Sequence, residues 1–125
     1  MSNRASDLNR WLITECKANI NTTVYVGIAP EGVCHPFITL NIIGDNPKYT
    51  TCEDIGTYDV QFSVFETAER LSNVHDIIDE LRDYFDDRQD SVDGIDIVQY
   101  TNNYILNDPE NKGWQGILQY RIHME

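Results

Sequence analysis

The sequence predicts an α+β domain: an antiparallel or mixed sheet of about five strands, two helices packed on one face, and the element order α-β-β-β-α-β-β. Three observations carry this. The stretch from Ile55 to Arg88, IGTYDVQFSVFETAERLSNVHDIIDELRDYFDDR, changes its apolar period from 2 to 3.6 within a few residues. Such a change describes a helix laid back on the strand before it. Phe37 to Ile43 is a nearly continuous apolar run of strand length, as expected of a strand covered on both faces. After Arg88, turn signals at Asp93-Gly94 and between Asn107 and Gly113 separate alternating segments, which implies hairpins.

The elements follow in order. Ser6 to Lys17 reads as a first helix, with Ser6 as N-cap and Leu8, Trp11, Leu12 and Cys16 on one stripe. Thr23 to Ile28 is β-branched and short, a first strand. The loop Ala29-Pro30-Glu31-Gly32 leads to Pro36 and the second strand, Phe37 to Ile43. Gly44 to Asp54 reads as a long loop with a turn at Asn46-Pro47. The third strand, Ile55 to Phe65, puts Tyr58, Val60, Phe62 and Val64 on a core face and Thr57, Asp59, Gln61 and Ser63 on the other. A second helix starts near Thr67, with Glu69 and Arg70 in its first turns and Leu71, Val74, Ile77, Ile78, Leu81, Tyr84 and Phe85 as its stripe. A fourth strand runs from Ile95 toward Leu106, and a fifth from Trp114 to His123. On the fifth, Trp114, Leu118, Tyr120 and Ile122 share one face, and Gln115, Ile117, Gln119, Arg121 and His123 the other.

The length of 125 residues with 41% hydrophobic content fits a single domain spanning 1–125 with its own core. No apolar run approaches 18 residues, so no membrane span is expected, and the polar start MSNRASDLNRW has no signal-peptide core. Cys16, Cys34 and Cys52 are odd in number and lack CxxC spacing, the pattern of reduced cytoplasmic thiols. The formal charge is −12, from 21 acids against 9 bases, which argues against a nucleic-acid clamp. Between Glu66 and Asp96, eleven acids and three arginines concentrate the charge. This segment reads as a solvated helix face, or as a surface that repels a polyanion or meets a basic partner.

No constellation points to catalysis, a metal or a cofactor. Cys34 and His35 are sequence neighbours and would point to opposite sides of an extended chain, so they do not form a dyad. His75 lies on the polar helix face without a second histidine at i+4, and His123 is nearly terminal. A calcium-loop register with Gly94 at its sixth position puts Gln89 first and Tyr100 twelfth, where carboxylates are required. No GxxxxGK[ST], GxGxxG or GxSxG occurs. The remaining signal is the polar face of the third and fifth strands. It reads either as solvated surface or as a wet interface between subunits.

The combination of phrases resembles a known family, the tail-terminator or tail-completion proteins of long-tailed bacteriophages and gene-transfer particles. The phrases are VYVGIAPEGVCHPFITLNI, the loop GDNPKYT, VQFSVF running into VHDIIDELRDYF, and the final WQGILQYRI, together covering roughly Trp11 to Ile122. The resemblance implies a non-enzymatic virion protein without cofactors, located at the tail–neck junction and assembled in the host cytoplasm. It implies a homo-hexameric ring that caps the tail tube and stops its polymerisation. The ring would contact the tail tube protein and a head–neck connector, and DNA would pass through its lumen without specific binding. Candidate assembly residues are Pro47, Lys48 and Tyr49 in the loop and Gln61, Gln119 and Arg121 on the polar strand faces. The strong acidity supports an alternative, a small decoy protein that mimics nucleic acid and binds a basic partner.

Overall fold

The computed structural model describes residues 4–47, 56–108 and 113–124. The elements are α1 (Arg4–Asn19), β1 (Val24–Val26), β2 (Phe37–Pro47), β3 (Gly56–Thr67), α2 (Leu71–Phe85), β4 (Ile95–Asp108) and β5 (Gly113–Met124). The strands form one mixed sheet in the order β1-β2-β3-β5-β4. β1 runs parallel to β2, and every other neighbouring pair is antiparallel. The expected class and element order are those observed.

The alternation in β3 is what organises the core. Val60, Phe62 and Val64 are fully buried on one face, opposite Tyr120, Leu118 and Gly116 of β5. α2 lies over this face and buries Val74, Ile77, Ile78, Leu81 and Phe85. Leu8, Trp11, Leu12 and Cys16 of α1 join the same cluster. Gly116 sets how closely α2 approaches. A Cβ at that position would stand 2.5 Å from Val74 Cγ1 and 2.9 Å from Ile78 Cδ1. Only glycine leaves room for those two β-branched side chains, whose rotamers are stiff on a helix.

Polar tethers fix the helices at their ends. Tyr120 donates its hydroxyl to Asp86 Oδ1 at 2.6 Å, and Asp86 also pairs with Arg82 at 3.0 Å. The Arg82 guanidinium lies over the Tyr100 ring at 3.9 Å, a cation–π contact. Trp11 Nε1 donates to Asp90 Oδ2 at 2.9 Å, and Tyr84 donates to Glu15 at 2.7 Å. Burial, reinforced by the charge of Glu15, pushes the Cys16 thiol up to about 12, so it is an inert core group.

Four differences from the sequence reading change a residue's role or an element's extent, besides shifts of one or two residues at other ends. α1 begins at Arg4, so Ser6 is inside it and is not its N-cap. β1 is confined to Val24–Val26. β2 continues through Gly44 to Pro47, where a loop is expected, because its pairing with β3 continues past a bulge between Ile42 and Gly44. Pairing along a central strand overrides local turn propensity, and proline at the strand's end costs no internal hydrogen bond. α2 starts at Leu71 with Arg70 as N-cap, so Glu69 and Arg70 precede the helix. The chain needs the turn closed by Arg70 N–H donating to Thr67 O before it can reverse onto the sheet.

Candidate functional site

The helices occupy one side of the sheet, and among the described residues no element covers the other. This bare face is built from alternate residues of β2, β3, β5 and β4 in register. One row reads Asn41–Gln61–Gln119–Asn102. The next aligns Asp59, Arg121 and Gln99, and a third aligns Thr57 and His123. Their side chains bond across the strands. Gln119 Nε2 donates to Gln61 Oε1 at 3.1 Å, and Gln61 Nε2 donates to Ser63 Oγ at 3.1 Å. Arg121 Nε meets Asp59 Oδ1 at 3.0 Å. His123 bridges two strands, with Nδ1 at 3.2 Å from Thr57 Oγ1 and Nε2 at 3.0 Å from Gln99 Oε1.

Because these groups satisfy one another, the face is pre-ordered. Cross-strand polar pairs add about 0.2–1 kcal/mol each and fix side-chain rotamers. Long amides also shield the small residues between them. Thr57, Ser63 and Thr39 are buried although no helix covers them, and so is Ile117. At one end the polar ladder gives way to aromatics, where Phe37 stacks on Phe65 at 4.9 Å and touches Tyr25 and His35 edge-on or tilted.

Of the six candidate assembly residues, the structure brings Gln61, Gln119 and Arg121 together on this face. Gln61 and Gln119 are directly bonded, and Arg121 lies one row away. Pro47 ends β2 opposite Gly56, at the far end of the same sheet. Lys48 and Tyr49 lie outside the described residues. The sequence reading did not single out Asp59, Thr57 and Gln99 as bonding partners, although strand alternation already placed Asp59 and Thr57 on this face.

The groups that suggest chemistry are otherwise engaged. A hollow of about 210 Å³ beside the aromatic end is lined by Pro30, His35, Phe37, Phe65, Glu66 and Trp114. Its buried Glu66 carboxylate accepts from the Thr67 N–H at 2.7 Å and from Asn73 Nδ2 at 3.1 Å. The carboxylate therefore holds the turn between β3 and α2. Asp90, in the acidic segment before Asp93-Gly94, has its carboxyl held below the usual range by the Trp11 indole, with further help from backbone N–H groups. Among the described residues no group of three or more His, Cys, Asp or Glu could hold a metal ion. No described helix is long and apolar enough to cross a membrane.

A sheet with one helix-covered face and one ordered polar face is suited to assembly. Comparison with protein families is decisive here: the profile described as "Tail completion protein gp17" matches residues 8–125. The chain belongs to the tail completion protein gp17 family. That family is structural and not enzymatic. A solved structure described as "Virion of native gene transfer agent (GTA) particle" contains a chain with the same fold as this tail completion protein. The two superpose with a TM-score of 0.72 at 12% identity, over 99% of this chain and 95% of that one. No functionally curated protein matches the tail completion sequence.

Proposed function

We propose that this tail completion protein acts as a tail terminator. Residues 1–125 form one terminator-like domain, and copies of it assemble into a ring, a homo-hexamer, on the finished tail tube. The ring stops tube polymerisation and presents the tail-side surface for joining to the head–neck connector. DNA passes through its lumen. The protein is a component of the virion at the tail–neck junction. The observation that supports this reading is the bare sheet face, ordered in advance by the Gln61–Gln119 and Asp59–Arg121 pairs. A pre-ordered polar face binds a protein surface with little further loss of side-chain entropy. The excess of acid fits the same role, since a wall of like charge does not retain DNA during ejection.

Removing the protein from otherwise complete particles tests this. Electron microscopy is expected to show tails of uncontrolled length, or heads and tails left unjoined. Normal, joined tails of fixed length would refute the terminator reading. A soluble monomer that competes with DNA for a basic protein would instead support a nucleic-acid mimic.

A further inference from the structure

The two edges of the sheet carry no charge. The chain has a formal charge of −12, and residues 18–30 and 97–107 hold no charged side chain, as is also true of 32–44 and 113–120, which take in parts of the inner strands. Residues 18–30 contain β1 and 97–107 most of β4, which are the two edge strands. Most of the exposed large hydrophobics lie there too. Val26 and Ile28 lie in and after β1, Tyr104 and Leu106 lie on β4, and Ile43 lies on β2. Val92 is the one other such residue among those described.

The outer edge of β4 is divided into two halves. Its first residues are covered by backbone bonds from the segment after α2. Asp87 N–H donates to Val98 O and Val98 N–H to Arg88 O, both at 2.9 Å, while Asp90 and Ile95 exchange a further pair. From Gln99 to Asp108, β4 pairs only with β5 among the described residues. β1 likewise pairs only with β2. An open edge presents N–H and C=O groups that another strand can satisfy, and proteins ordinarily blunt such edges with charge or proline. From Ile97 to Asn107, β4 has neither.

We propose that the open half of β4 pairs antiparallel with β1 of a second copy, head to tail, so that the sheet continues from one protomer into the next. This inference rests on the ring reading and names its interface. Charge selects the occupant. Two chains of −12 repel across their acidic surfaces, and the uncharged edges let them approach without that cost. Direction agrees. β4 runs opposite to β1, because β1 and β2 are parallel and the remaining neighbours alternate. Lateral repetition therefore places the two edges antiparallel. Height agrees as well. Tyr25, Thr39, Ser63, Ile117 and Tyr104 form one continuous row, so β1 stands level with the open half of β4 and not with the covered half. Pairing β4 with β4 would be isologous, would close at a dimer and would leave Val26 and Ile28 bare. The heterologous pairing covers both edges with one interface and permits a ring.

Paired cysteines test the proposal in the full-length protein, carrying Cys34→Ser and Cys52→Ser. Tyr25→Cys, on the bare face in the row of Tyr104, is combined in turn with Asn102→Cys, Tyr104→Cys or Leu106→Cys, which share that face. Each variant is assembled alone and on tail tubes, then oxidised. At least one pair is expected to give a ladder of covalent multimers, while each single-cysteine variant stays monomeric on a denaturing gel. Dimers from a β4 cysteine alone would overturn the proposal in favour of β4–β4 pairing. Rings seen by native mass spectrometry or microscopy, with no ladder from any pair, would overturn it while the ring reading stands. A chain monomeric under every condition, tubes included, would overturn both. As a second variant, Tyr104→Lys with Leu106→Lys is expected to lose the oligomer with its circular dichroism unchanged. An intact oligomer in that variant would count against the proposal.

Discussion

The two faces of this sheet use the same strands for opposite purposes. The helix-side face is apolar, close-packed and closed by α2 over Gly116. The bare face is polar, and its side chains are paired with one another across strands. The contrast shows how alternation lets one strand serve stability on one side and, in the proposed role, assembly on the other. β3 sends Phe62 into the core and Gln61 toward the outside, and neither purpose constrains the other. Changes on the first face should therefore move stability, and changes on the second should move assembly with little effect on stability.

The largest expected effect lies in the core. Phe62→Ala should cost about 3–5 kcal/mol, read as a shifted denaturation midpoint in urea, because Phe62 contacts both Phe85 and Tyr120. A loss below about 1 kcal/mol would show that the two layers are not close-packed. Tyr120→Phe removes a charge-assisted hydrogen bond to Asp86 and should cost about 1.5–3 kcal/mol. Gly116→Ala is next. It adds one methyl group against Val74 and Ile78 and should cost about 1–3 kcal/mol by overpacking. Little or no loss would mean that α2 rides loosely on the sheet.

On the bare face the expected effects are smaller. A double-mutant cycle on Asp59→Ala and Arg121→Ala should give a coupling of about 0.2–1 kcal/mol, weakened by salt. A much larger coupling would break the contrast between the faces. Acid stability offers a last and finer measurement. The folded-state pKa of Asp90 is depressed by Trp11, so its contribution is present above the ordinary carboxylate pKa. It is lost as pH falls through the lower folded value. Trp11→Phe should remove that component of the acid transition, measured by titrating stability between neutral and acid pH.

Much of the fold is legible in the sequence because burial is one-sided. The alternation of Tyr58, Val60, Phe62 and Val64 and the stripe from Leu71 to Phe85 have one arrangement that hides both. What was not legible depends on neighbours distant in the chain. Gly44 to Pro47 carries turn residues, and only its pairing with β3 makes it strand. Gly116 looks like a flaw in a strand until α2 is seen above it. Glu66 looks like a solvent-facing acid, yet it is buried and holds a turn. The placement of Gln61, Gln119 and Arg121 on one face followed from period 2 alone. Their bonding partners required the register between β3 and β5.

The order of the strands also bears on when the protein becomes competent. β5 is the last element of the described chain, but it stands inside the sheet between β3 and β4. Its twelve pairings reach back to β3, across the whole of α2 and β4. Such long closures are slow and come late in folding. Until β5 is in place, β4 has no neighbour in the sheet and its edge cannot be displayed. A nascent chain on the ribosome thus lacks the surface proposed to join copies together. On the proposed interface, joining of copies would follow the docking of β5, so that the fold itself would act as the checkpoint.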